Sequence, residues 1–89
     1  MTNPNDEIQN VMDTVRKSYP RYKYDNRQGF HCGPTEFEYN PGKTATLSGD
    51  EAVIGIIEDI PRMARSFLLR VKRDGDSWQV QDELKQVLG

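Results

Sequence analysis

Apolar positions fall in two rhythms along this chain. Near the start, Ile8, Val11, Met12, Val15 and Tyr19 recur every three or four positions, which is one stripe of a helix. Asn3 suits the N-cap and Pro4 the first helical position. Asp6 and Glu7 in the first turn and Arg16 and Lys17 in the last complement the helix dipole. Pro20 pushes Tyr19 away from helical geometry and ends the element. The pattern predicts a helix over residues 3–18.

Beyond Pro20 the rhythm becomes two. Tyr22 and Tyr24 alternate with Arg21 and Lys23, which places both rings on one face of a strand. Asn26-Arg27-Gln28-Gly29 reads as a turn, Phe30-His31-Cys32 as a short extended piece, and Gly33-Pro34 as a break. Phe37 and Tyr39 alternate with Glu36 and Glu38 and are expected to point inward. Asn40-Pro41-Gly42-Lys43 is a turn with Pro second and Gly third, and Thr44-Ala45-Thr46-Leu47 resumes the strand.

Residues 49–82 carry the clearest signal, a three-strand meander. Val53, Gly55 and Ile57 share one face of its first strand, and Ala52, Ile54 and Ile56 the other. A strand apolar on both faces is central, or covered on one side by the helix. In the second strand Phe67, Leu69 and Val71 face one way, and Ser66, Leu68, Arg70 and Lys72 the other. Asp74-Gly75 is a hairpin turn pair, after which Trp78 and Val80 point to the core. Residues 83–88 read as one or two closing helical turns. The expected architecture is one α+β domain over residues 1–89: an N-terminal helix packed on a curled antiparallel sheet of about five strands, with a short C-terminal helical turn.

The order of a Gly49-Asp50 turn, an apolar strand, a second strand and a short turn into Trp78-Gln79-Val80 resembles the final strands of cystatin-like and nuclear-transport-factor-like α+β domains. The resemblance covers residues 49–82 and is one of hairpin pattern. It implies a fold and transfers no site residue. Such cones have helices before the sheet, and this chain is short for them. That departure removes most of the pocket they use.

Size and composition narrow the rest. The chain has 89 residues, 35% of them hydrophobic, and a net charge of -2. Its mean hydropathy is -0.82. That is enough for one modest core drawn from a few well-patterned segments. The clustered apolar residues and low net charge argue against disorder. No apolar run is long enough to span a bilayer, so no membrane partner is expected. The first residues lack the basic and apolar regions of a signal peptide. The single Cys32 cannot form an internal disulfide, and a reducing, cytoplasmic setting is expected.

Residue types and spacings supply no complete catalytic constellation. Gly42-Lys43-Thr44 matches the end of a phosphate-binding loop, but Phe37 stands where the loop needs its earlier glycine. His31 and Cys32 are the single His and the single Cys, and neighbours on a strand point to opposite faces. They read as a strand cysteine beside an ordinary histidine. Asp74-Gly75-Asp76 lacks the further ligands of a calcium loop. Glu36 and Glu38 share a solvated face. The expectation is no catalytic residue, no metal and no cofactor.

Charge order is more informative. Residues 16–27, from Arg16 to Arg27, hold five bases and one acid, and residues 62–73 hold five bases, inside an otherwise acidic chain. In the first block Tyr22 and Tyr24 interleave with Arg21 and Lys23, the alternation that suits single-stranded nucleic acid. The competing reading packs both tyrosines on the helix. In the second block Arg70 and Lys72 either join Arg21 and Lys23 as one cationic face or pair across strands with acids. Arg21, Tyr22, Lys23, Tyr24, Arg70 and Lys72 are therefore the candidate binding residues. The leading functional expectation is a small non-catalytic binding or regulatory module acting on a protein partner through a sheet face or edge. Such an edge would also permit a homo-oligomer. The alternatives are single-stranded nucleic-acid binding through residues 16–27, and small-ligand binding in a pocket between helix and sheet.

Overall fold

The structure, a computed structural model, describes residues 4–40 and 42–88, with side chains for residues 6–39 and 42–84. One helix, α1 (Pro4–Ser18), precedes seven strands: β1 (Tyr22–Tyr24), β2 (Phe30–Cys32), β3 (Thr35–Asn40), β4 (Lys43–Leu47), β5 (Glu51–Glu58), β6 (Arg65–Asp74) and β7 (Ser77–Leu88). The fold is α+β with antiparallel sheets. The expected N-cap Asn3 and the second turn residue Pro41 lie outside the described residues.

β5 is the spine, as its two apolar faces require. On one side it pairs with β6, which pairs in turn with β7. On the other side it takes two short strands end to end, β1 against Ile56 to Glu58 and β2 against Ala52 to Ile54. The gap between them falls at Gly55. Asp25 N–H donates to Gly55 O at 2.9 Å, and Gly55 N–H donates to Gly29 O at 2.9 Å, so the ladder is kept while residues 25–29 loop out. The Gln28 side chain lies directly over Gly55, where a Cβ would collide with it.

Helix α1 covers one face of this sheet. Val11, Met12 and Val15 pack with Ala52, Ile54, Ile56, Phe67, Leu69, Val71 and Trp78 in the main core. The other face is covered in part by the β3–β4 hairpin. Leu47 with Phe37 and Tyr39 packs on Val53, Leu68 and Leu84. The expected single curled sheet of about five strands is therefore corrected to a five-stranded sheet plus a separate two-stranded one. Phe37 and Tyr39 do point inward, but at a second and smaller core. Gly33 permits the split. Its N–H donates to Glu51 O at 2.9 Å, and a side chain there would strike the Ser48 carbonyl.

A second correction concerns the C-terminus. The expected helical turn over residues 83–88 is instead the end of β7, paired as far as Arg65↔Leu88. Register shifts between Leu68/Leu69 and Arg70/Val71 leave Leu84 and Gln81 as extra residues on the edge strand. The bulges reset the alternation. Val80, Leu84 and Val87 then come at intervals of four and three in the sequence, which imitates a helix.

Candidate functional site

The topology sorts charge between the two ends of the sheet. At one end α1 finishes, the chain turns through Tyr19, Pro20 and Arg21 into β1, and β5 hands over to β6. Tyr22 N–H donates to Tyr19 O at 3.1 Å and closes that turn. Arg16 reaches it from the last helical turn, with Nε 3.5 Å from Tyr22 O. Asp59 N–H donates to Arg21 O at 2.8 Å, which fastens the β5–β6 loop beside it. Arg16, Lys17, Arg21, Lys23, Arg62 and Arg65 thus gather at one end, all exposed. Against them stand Glu58 and Asp59, in the ion pairs Arg65–Glu58 at 3.9 Å and Lys23–Asp59 at 3.6 Å. Arg16, Lys17, Arg21 and Arg62 have no carboxylate partner among the described residues.

The loop at this end also shows apolar surface. Ile60 is 39% exposed and Met63 is 79% exposed, and they are the large apolar side chains that stand out from the described surface. Met63 adopts φ +46°, in the left-handed region that favours glycine. Sequence reasoning singled out neither residue. Isolated apolar residues in a loop have no periodicity to reveal them.

The candidate binding residues are divided by the structure. Arg21 and Lys23 lie at the cationic end. Arg70 pairs across strands with Val53, and Lys23 with Ile57. Four residues of β5 therefore separate the two along the sheet, about 13 Å at the usual strand rise. Arg70 is held bidentately by Asp82, at 2.9 and 3.2 Å, with Glu51 at 3.9 Å. Lys72 lies 3.9 Å from Asp50. The four cations do not form one patch, and Arg70 and Lys72 pair with acids of neighbouring strands and turns.

The tyrosines face the helix. The Tyr22 ring sits 5.4 Å from Tyr19, edge to face, and 5.4 Å from Phe67. Tyr24 packs on the same core. Burial, with Glu58 nearby, raises the Tyr22 phenol above its ordinary value. Burial and a 2.8 Å hydrogen bond from Tyr19 to Glu83 push the Tyr19 phenol up to about 12. These rings tie α1 to the sheet and would have to leave the core to stack on bases.

Among the described charged groups, Asp25 is the buried one, at 4% exposure. Its Oδ1 accepts from Arg27 N–H at 3.0 Å and Arg27 Nε at 3.3 Å. Its Oδ2 accepts from Gln28 Nε2 and from Ser66 Oγ, both at 3.3 Å. Gln28 Nε2 also reaches Phe67 O at 3.2 Å. Burial alone would raise the carboxyl, but these donors together hold it below the usual range. The cluster bolts the 25–29 excursion over Gly55. The sequence showed Asp25 only as the one acid of a basic block.

His31 and Cys32 part company as the strand geometry requires. The His31 ring lies 4.7 Å from Phe37, and its Nε2 is 3.2 Å from Gln28 O. Cys32 is exposed at the edge, and local burial raises its thiol above the ordinary value. No group of three or more metal-ligating side chains occurs among the described residues. The helix–sheet seam, where the small-ligand alternative would place its pocket, is lined by Val11, Met12, Val15, Ile54, Ile56 and Leu69, all at 2% exposure or less. Two polar dents, of about 170 and 400 Å³, lie at the opposite end around Arg73. No described helix is long and apolar enough to cross a membrane.

No family, curated protein or solved structure matches this chain. The meander that carried the resemblance to cystatin-like and nuclear-transport-factor-like domains is present as β5–β6–β7. The likeness rests on that hairpin pattern alone.

Proposed function

We propose that this chain is a small non-catalytic binding and regulatory module that engages an acidic surface of a protein partner through its cationic end. One observation carries the reading. Six exposed cations converge on one end of a protein whose net charge is -2, and four of them have no carboxylate partner among the described residues. Arginine suits such a surface because its planar fork binds carboxylates bidentately and is weakly hydrated. The β7 edge is a poorer docking site, since its two bulges interrupt the outward row of backbone groups.

Affinity capture from nuclease-treated lysate of the source cells tests this, with the Arg21→Glu/Arg62→Glu variant beside the parent. A discrete protein partner should be retained by the parent, released by salt and absent from the variant. Equal capture by both proteins would sink the reading.

A second reading keeps the same cations and gives them phosphates. It supports weak, non-specific binding of single-stranded nucleic acid, because Tyr22 and Tyr24 are engaged in the core. Titration of labelled single-stranded RNA and DNA at two salt concentrations separates the readings. Submicromolar, salt-sensitive binding that vanishes when Arg21 and Lys23 are removed would put nucleic acid in first place.

A further inference from the structure

The β5–β6 loop has a fixed base and a displayed tip. The base is held by Asp59 N–H to Arg21 O at 2.8 Å, by Lys23 to Asp59 at 3.6 Å, and by Arg65 N–H to Glu58 Oε1 at 2.9 Å. The tip carries Ile60 and Met63 into solvent. Burial cannot account for the Met63 side chain at 79% exposure, and its backbone conformation is one that Asn or Gly would adopt more readily. Backbone strain coupled to an exposed apolar side chain points to a contact made outside the chain.

We infer that residues 59–64 are the specificity element of the cationic end, and that they receive an acidic segment of a partner protein bearing apolar side chains among its carboxylates. The inference rests on the proposed function and deepens it. Charge complementarity selects the occupant. Arg62 in the loop and Arg21 beside it have no carboxylate partner among the described residues, while Lys23 and Arg65 are paired with Asp59 and Glu58, so the surplus charge is positive and suits an anionic occupant. A purely acidic chain would leave Ile60 and Met63 in water. An acidic chain with a leucine-like side chain covers them. Methionine suits this because its flexible, polarisable thioether adapts to irregular apolar partners.

The test uses two labelled synthetic peptides of equal length and charge. One intersperses Glu with Leu, and the other has Ser at every Leu position. Binding is read by fluorescence anisotropy. The Leu peptide should bind about tenfold more tightly, the ratio expected from burying part of an apolar side chain. Met63→Asn should remove that ratio and leave the Ser peptide unaffected, and Ile60→Ser should do the same. Met63→Asn suits the existing backbone, so it serves even if Ile60→Ser disturbs the fold, which thermal melts check.

Equal binding of the two peptides by the parent would overturn the inference and leave the cationic end standing. Binding of neither would overturn both. Tighter, Met63-dependent binding to phosphatidylserine vesicles or to a single-stranded RNA oligonucleotide than to either peptide would assign the loop to another class of partner.

Discussion

Where β6 turns into β7, cations and carboxylates are matched. Arg70 meets Asp82 and Glu51, Lys72 meets Asp50, and Arg73 meets Glu7 while its guanidinium lies 4.7 Å from the centre of the Trp78 ring. At the other end, four of six cations lack such partners among the described residues, and Ile60 and Met63 stand in solvent. Both ends are rich in Arg and Lys, and the fold divides the second basic block between them: Arg62 and Arg65 join the first block's Arg16, Lys17, Arg21 and Lys23, while Arg70, Lys72 and Arg73 lie at the matched end. The contrast teaches that basic residues alone do not mark a binding surface. The carboxylates that the fold delivers to one end and withholds from the other separate architecture from an available surface. Substitutions at the two ends should therefore split into losses of stability and losses of binding.

The largest loss of stability is expected at Trp78. The ring is 7% exposed in the main core, edge to face with Phe30 at 6.4 Å. Trp78→Ala should cost about 3–5 kcal/mol, the usual range for large aromatic deletions. Urea titration of both proteins measures it. An unchanged midpoint would break the claim that the matched end is architectural.

Asp25 comes next, since it sharpens the comparison from inside the basic block. Asp25→Ala strands Gln28 and Ser66 and frees the 25–29 excursion, at a cost of about 2–3 kcal/mol. The exposed Arg27 partner contributes little of this. The folded carboxyl titrates below its unfolded value. Its stabilisation is therefore complete above the ordinary aspartate range and fades as pH falls through the lowered folded pKa. Denaturation midpoints of the parent should drop across that acidic window. In Asp25→Asn that part of the pH dependence should be absent.

Much of this fold was legible in the sequence, and the reasons are local. The helix Pro4–Ser18 and the strand starts near residues 22, 30, 35, 51, 65 and 77 follow from period, proline and turn pairs. The end of β7 was illegible because the bulges at Gln81 and Leu84 disguise period two as period four and three. The split of the sheet was illegible because alternation says that Phe37 and Tyr39 face inward without saying toward which core. Of the site, Arg21 and Lys23 were legible as cations, and the neutralisation of Arg70 and Lys72 was weighed as cross-strand pairing. Ile60, Met63 and the burial of Asp25 depend on neighbours remote in sequence, which no pattern within a segment records.

Smaller effects test the split directly. Arg73→Ala loses the contact with Trp78 and the ion pair with Glu7, and should cost about 1 kcal/mol, since both are partly solvated. It should leave partner binding unchanged. The double variant Arg21→Glu/Arg62→Glu should shift stability by less than about 0.5 kcal/mol, as surface substitutions usually do, and yet abolish partner binding. Thermal melts and the capture experiment, run on the same protein preparations, read both quantities. A large stability loss in the Arg21/Arg62 variant, or lost binding in Arg73→Ala, would erase the distinction between the ends.

A comparably small stability effect has the opposite sign. Met63 holds φ +46° with its side chain 79% exposed, so little burial compensates the left-handed conformation. Asn tolerates that region better than Met, because its short polar side chain can bond locally. Met63→Asn should therefore raise stability slightly, by about 0.5 kcal/mol, a modest share of what relieving such strain can return. Against the Leu-bearing peptide the same substitution should weaken binding. A residue whose replacement stabilises the fold and impairs recognition is held in place by function rather than by folding. Differential scanning calorimetry of Met63→Asn beside the parent decides the sign. A clear fall in the melting temperature would show that Met63 supports the fold, and the cationic end would then be distinguished from the matched end by charge alone.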